Sequence, residues 1–209
     1  MMLSAVLPIF PLPNAVLFPG VFLPLHIFET RYREMIADVL AGDRLIGMVL
    51  LKPGWDREPT ESPSVFSIGC AGLISHVERL DDGGYNIVLR GIERFRVVDE
   101  DVERSYRLAR VDYLVDTMTP VGREALRQQR HKLERLLTVS LEVPDHPFPS
   151  SLSDEEVINA LAQYLDLEPI ERQALLECDN VSSRADALAE LLEMKAMAQS
   201  APPGRGLLH

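Results

Sequence analysis

Between Val6 and Leu25 the chain alternates short apolar runs with prolines. Val6-Leu7, Ile9-Phe10, Val16-Leu17-Phe18 and Val21-Phe22-Leu23 are set apart by Pro8, Pro11, Pro13 and Pro19, and Pro24 follows. Proline has no N–H to give to a ladder, so a central strand does not hold one in mid-run. The spacing therefore predicts short strands, broken and re-aimed at each proline, on an edge or rim, yet apolar enough to be buried. Pro19-Gly20 reads as a turn. From Phe28 the period changes: Phe28, Tyr32, Met35, Ile36, Val39 and Leu40 fall at helical spacing, with Gly42 as the stop.

The continuous apolar run Leu45–Leu51 predicts a strand buried on both faces. Lys52 to Ser64, with Pro53, Gly54, Pro59 and Pro63, predicts a long exposed loop, a kind of segment that often carries function. Trp55, the one tryptophan, sits in it. Two readings stay open: a side chain folded back to plug the rim, or an exposed aromatic contact for a partner. Val65 to Leu80 is strand-like with bends at Gly69 and Gly72, and Asp81-Asp82-Gly83-Gly84 signals a hairpin turn. Tyr85, Ile87 and Leu89, then Phe95 and Val97, then Ala109, Val111, Tyr113 and Val115 alternate with polar residues, as strands with one buried face do. Many short strands and one helix suggest a small, partly closed barrel.

Alternation stops at Thr117 to Pro120. Beyond it Leu126, Leu133, Leu136, Leu137 and Leu141 predict a helix over Arg123–Leu141. Pro144, Pro147 and Pro149 predict a loop over Glu142–Ser151. Ser153 and Glu156 form a capping box ahead of Val157, Ile158, Leu161 and Leu165. Pro169 opens the next helix, and Ser182 or Ser183 caps a last one through Met197. The expected organisation is a strand subdomain over 1–117, a helical subdomain over 118–198 and a disordered tail over 199–209.

Composition narrows the class. The 209 residues are 46% hydrophobic and 25% charged, the balance of a soluble globular chain. No run of about 18 apolar residues could span a membrane. The opening residues lack the basic segment and apolar core of a secretory signal. Cys70 and Cys178 lie far apart in unlike contexts, which favours reduced thiols and a cytoplasmic setting. Residues 153–194 hold eleven acids and two bases, a net charge of −9 against −11 for the whole chain. Nucleic acid is therefore not an expected partner, since binding it requires a basic surface. An acidic helical face reads first as a solvated surface.

The opening LPIFPL, then VLFPG, then LPLHIFETRYREMI resembles the start of the Lon protease N-terminal, substrate-binding domain family. Gly69-Cys70-Ala71-Gly72, the strand Tyr85–Arg96 with its Gly91-Ile92-Glu93-Arg94-Phe95 motif, and Gln173-Ala174-Leu175-Leu176-Glu177 followed by Arg184 and Leu188 extend it over nearly the whole chain. Thr30 departs from the family pattern, where proline is frequent. The resemblance implies an α+β fold: a PUA-like β pseudobarrel with one packed helix, followed by a C-terminal helical bundle. It implies a stand-alone member, lacking the ATPase and peptidase domains, that binds unfolded or partner protein segments, with a link to protein quality control or proteolysis.

Motifs for chemistry are missing. There is no G-x-x-x-x-G-K-[ST] and no G-x-S-x-G. None of His26, His76, His131, His146 and His209 has two-ligand metal spacing, so neither a metal nor another cofactor is expected. Lys52, Lys132 and Lys195 do not stand in the context of a Ser–Lys dyad. The expectation is a non-enzyme whose peptide-binding surface is drawn from Val16, Phe18, Val21, Phe22, Leu23 and Trp55, since an apolar strand edge suits an extended peptide. The alternative is a small-ligand binder or hydrolase with a site between barrel and helices, at His26, Cys70 and His76. The even spacing of Cys70 and His76 puts them on one strand face, about 20 Å apart if fully extended.

Overall fold

The structure, a computed structural model, describes residues 3–57, 62–117, 119–141, 149 and 151–200. Six strands are present: β1 (Val6–Leu12), β2 (Phe22–Ile27), β3 (Leu45–Leu50), β4 (Ile68–Arg79), β5 (Tyr85–Asp101) and β6 (Arg107–Leu114). The helices are α1 (Thr30–Leu40), α2 (Pro120–Leu141), α3 (Asp154–Tyr164), α4 (Pro169–Glu177) and α5 (Val181–Ser200). Pro59 and the expected loop residues Pro144 and Pro147 lie outside the described residues, as do His146, His209 and the tail from residue 201 onward.

Two compact units divide the chain. Residues up to Asp116 form one together with Asn159–Glu177, and Thr117–Ile158 form the other with the residues from Cys178 onward. A single cut near Thr117 therefore does not describe the organisation, because the end of α3 and all of α4 group with the strands. Three side chains hold them there: Asn159 Nδ2 donates to the Pro19 carbonyl (3.0 Å), Tyr164 to that of Phe22 (2.8 Å) and Gln173 Nε2 to that of Ile68 (3.0 Å).

In the strand unit β5 is the hub. One side of it ladders with β4; the other runs beside β2 from Tyr85 to Arg90 and then beside β6 from Arg94 to Asp101. Pairings pass from β5 through β4, β3 and β1 to β6 and return to β5. All five strands of this circuit feed one core cluster, which includes Leu7, Ile9, Leu45, Val49, Ala71, Phe95, Ala109 and Val111. The Phe95 ring fills the space that side chains at Gly47 and Gly69 would take, where added Cβ atoms would lie 2.9 and 2.7 Å from it. Outside the circuit α1 buries Tyr32, Met35, Ile36 and Val39, with the Tyr32 ring 4.3 Å from that of Phe10.

The prolines do not break β1, contrary to the sequence expectation. Its odd-numbered residues face β6, as in the 2.9 Å bond from Val111 N–H to the Ala5 carbonyl; even-numbered ones face β3, as in the 3.0 Å bond from Leu51 N–H to the Leu12 carbonyl. The antiparallel ladder to β6 covers Val6–Ile9 and the parallel ladder to β3 covers Ile9–Leu12. Pro8 thus turns its nitrogen toward β3 before that ladder begins, and Pro11 toward β6 after that ladder has ended. Neither removes a bond that the strand would otherwise make.

Other elements shift by local causes. Val16-Leu17-Phe18 is buried but is loop rather than strand. Helix α1 begins at Thr30, so Phe28 precedes it, and Arg44 rather than Gly42 adopts the left-handed conformation beyond it (φ 63°). The capping box at Ser153 forms in both directions. At α5 the cap is Asn180, whose Oδ1 accepts from Ser183 N–H at 3.0 Å while Ser183 Oγ accepts from Asn180 N–H at 3.2 Å.

In the second unit α2 and α5 lie together, with Leu126, Leu133, Leu137 and Leu188 buried. Gln129 bonds Asp186 (2.7 Å) and Ser182 (2.9 Å), and Lys132 pairs with Glu193 at 2.9 Å.

Candidate functional site

Closure of the strand circuit leaves one strand out of it. Strand β2 is laddered to β5 along one side only; no described residue pairs with its other side. Along β2 the period is two. Leu23 and Leu25 are half-buried and Ile27 is buried, while Phe22, Pro24 and His26 stand on the solvent face. Phe28, the next in that series, is 65% exposed and Phe22 48%. Neighbours on the same face are Arg90, Val88 and Asn86 of β5, opposite Phe22, Pro24 and His26 respectively. His26 Nδ1 donates to Asn86 Oδ1 at 2.9 Å, Asn86 Nδ2 donates to Glu78 Oε2 at 2.9 Å, and the His26 ring stacks on Phe28 with centroids 6.0 Å apart. A polar string across three strands thus fixes the end of an exposed apolar strip.

The surface expected from sequence is only half present. Phe22, Leu23 and Trp55 are accessible. Val16, Phe18 and Val21 are core, with Phe18 fully buried. Their burial follows from the chain path: the segment before β2 is clamped to β5 by bonds from Gly20 N–H to the Gly91 carbonyl (2.9 Å) and from Gly91 N–H to the Val21 carbonyl (2.8 Å). A Cβ at residue 91 would lie 2.0 Å from the Phe18 carbonyl oxygen, so only glycine permits that approach.

Trp55 sits apart from β2, in the connection leaving β3. It is 44% exposed and so does not plug the strand circuit. It borders a pocket of about 190 Å³ with Lys52, Pro53, Gly54, Ser62, Pro63 and Ser64. The stem of this loop is held by Lys52 N–H donating to the Ser64 carbonyl at 2.9 Å and by Arg107 donating to that of Pro63 at 2.8 Å.

The three residues of the alternative reading do not meet. Cys70 is fully buried, its thiol directed to the Ala71 carbonyl. His26 bonds Asn86 on the exposed face, and His76 stands exposed on β4 opposite Val88. A nucleophile and its base need hydrogen-bond reach, which this placement does not give. Among the described residues no group of three or more His, Cys, Asp or Glu could hold a metal ion, and no helix is long and apolar enough to cross a membrane.

Sequence reasoning missed Phe28, counted on the helix, and Tyr164. An available signal for Phe28 was the i, i+2 continuation of Phe22, Pro24 and His26. Tyr164 carried none, since its role depends on where α3 ends.

The fold is α+β, a mixed sheet with five described helices, and its accessible features include a strand edge flanked by apolar side chains. The family model described as the ATP-dependent protease La (LON) substrate-binding domain matches residues 6–194, and the chain belongs to that family. Lon protease 2 of Myxococcus xanthus is 31% identical over 198 residues, covering 91% of this chain and 24% of that protein. The chain thus spans about a quarter of the curated relatives it matches. Among solved structures, a Lon N-terminal domain protein from Xanthomonas campestris is 25% identical with a TM-score of 0.59, covering 94% of this chain and 99% of that one. The N-terminal domain of a Mycobacterium avium complex Lon protease, 19% identical with a TM-score of 0.65 over 90% of this chain and 98% of that one, shares the fold.

Proposed function

We propose that this chain recognises polypeptide substrates for proteolysis, binding unfolded or partner protein segments through exposed apolar side chains, and that it performs no catalysis of its own. The observation that carries this reading is the β2 strip: Phe22 and Phe28, both large and apolar, stand exposed beside half-buried Leu23 in a chain of the substrate-binding domain family. Apolar contacts are non-directional, so such a strip accepts many sequences. Trp55 and its loop are a second contact, because a rigidly stemmed aromatic is a good anchor. On the same reading the five-strand circuit is a PUA-like pseudobarrel with α1 packed on it, the helices of the second unit are a bundle, and the setting is cytoplasmic.

The test is fluorescence anisotropy of labelled, reduced and carboxymethylated α-lactalbumin, a permanently unfolded chain, titrated with the protein. Saturable binding with Kd on the order of micromolar is expected, because ordering a flexible segment offsets part of the contact energy. Native α-lactalbumin should not compete. Absence of saturable binding would overturn the reading.

A further inference from the structure

We propose that the free edge of β2 takes up an extended segment of the bound polypeptide as an added strand, and that the Tyr164 hydroxyl holds one position of that edge until the segment arrives. This rests on the substrate-binding reading above. The argument begins with the backbone. Odd-numbered residues of β2 direct their N–H and C=O toward β5, as the Val21 carbonyl does to Gly91 N–H at 2.8 Å. Even-numbered residues therefore face outward: Phe22, Pro24 and His26. Pro24 has no N–H, which is the usual way to blunt an exposed edge. The Phe22 carbonyl is taken by Tyr164 Oη at 2.8 Å, while the Tyr164 side chain remains 65% exposed. Among the described residues nothing bonds the Phe22 N–H, the Pro24 carbonyl or the His26 N–H and carbonyl. Each of the other five strands has a strand on both sides for part of its length, whereas β2 has one on a single side, so this is where main chain from another polypeptide can join the sheet.

Side chains set the kind of segment. Leu23 and Leu25 are half-buried because the inner layer stops at β2. An added strand would carry alternate residues onto that layer beside them, and apolar ones complete it. The occupant is thus an extended stretch with apolar residues at every second position, such as an unfolded β-strand sequence. Tyr164 donates to Phe22 as an incoming N–H would, so the phenol and the segment compete for one acceptor.

Two substitutions read the edge itself. At position 26 the nitrogen points away from β5, as that of Pro24 does, so His26→Pro removes an edge donor without touching the ladder. His26→Ala removes the same imidazole but keeps the donor. With the unfolded α-lactalbumin probe, His26→Pro should bind about tenfold more weakly than His26→Ala, the range of one net hydrogen bond. Tyr164→Phe frees the Phe22 carbonyl and should tighten binding about three- to tenfold by the same measure. Amide exchange at Phe22 and His26 should slow when the probe is bound to wild type. Equal affinity in wild type, His26→Pro and Tyr164→Phe, with no protection at those amides, overturns the edge while leaving the substrate-binding reading intact. Loss of all binding by wild type overturns both. Should His26→Pro lower the melting temperature, the Tyr164→Phe affinity and the wild-type exchange data decide.

Discussion

Arg94 and Asp116 form an ion pair at 2.6 Å with side chains only 2% and 14% exposed. The same guanidinium donates to the Leu176 carbonyl at 2.9 Å, near the end of α4, where the last carbonyls lack helical partners. One side chain on β5 thus holds the end of the β6 stretch and a helix about sixty residues beyond it in sequence, all within the strand unit. Asp116→Ala would leave the buried cation without its carboxylate. The expected loss is about 3–5 kcal/mol, read as a lower urea midpoint with an unchanged m-value. Asp116→Asn, which keeps an acceptor, should lose less.

Gly91→Ala tests the clamp ahead of β2. Its Cβ would meet a backbone oxygen, Phe18 O at 2.0 Å, and no rotamer relieves that. A loss of about 3 kcal/mol or more is expected, at the upper end of overpacking effects. Gly54→Ala is the contrasting case. Nothing lies within 4 Å of a Cβ there, and only the left-handed φ of 90° resists it. Its cost should stay near about 1 kcal/mol. Thermal melts of the two variants separate steric from conformational demand.

Alkaline pH gives a third prediction. Burial, with the Asp43 charge adding to it, pushes the Tyr113 phenol up to about 12. Its hydroxyl donates to the Ser4 carbonyl at 2.8 Å. The folded chain therefore holds its proton more tightly than the unfolded chain does. The stability linked to this group is fully present below the ordinary tyrosine value and is lost as pH rises through about 12. Because the phenol is only part-buried, solvent screening reduces what the linkage between pKa shift and free energy would give in full, and the loss should be on the order of 1–2 kcal/mol. Urea midpoints at pH 9 and pH 11.5 should fall less for Tyr113→Phe than for wild type. An equal fall would place the titration elsewhere.

What the sequence made legible was local. The Asp81–Gly84 turn, the two-residue alternation of Tyr85, Ile87 and Leu89, and the Ser153–Glu156 box each depend on a few neighbouring residues, and each forms. Hidden features depend on partners distant in sequence. Pro8 and Pro11 looked like strand breakers because the ladders of β1 change over at Ile9, which only the positions of β3 and β6 decide. Val16, Phe18 and Val21 looked like surface because apolar residues between prolines carry no sign of what covers them; the covering is a main-chain clamp to Gly91. At α5 the expected cap was Ser182 or Ser183, but the cap is Asn180, paired reciprocally with Ser183, a choice that depends on where the helix begins. Of the residues expected at a surface, Phe22, Leu23 and Trp55 are accessible, and an edge position for the proline-broken strands was anticipated. Which backbone groups that edge leaves open was not.

The last prediction separates the two accessible apolar places. Phe22 lies on β2 and Trp55 in the connection leaving β3, and no β2 residue borders the Trp55 pocket. Phe22→Ala should weaken binding of the unfolded α-lactalbumin probe by about 1–2 kcal/mol, the cost of truncating a contact residue. Trp55→Ala should do the same while leaving the melting temperature nearly unchanged, because an exposed side chain contributes little to folding. Without shared contacts the double variant should lose the sum of the two within about 0.5 kcal/mol. Larger coupling would mean that one bound segment needs both places at once. If Trp55→Ala instead lowers the melting temperature and binds the probe as wild type does, the tryptophan serves the loop's packing, and recognition is left to β2 alone.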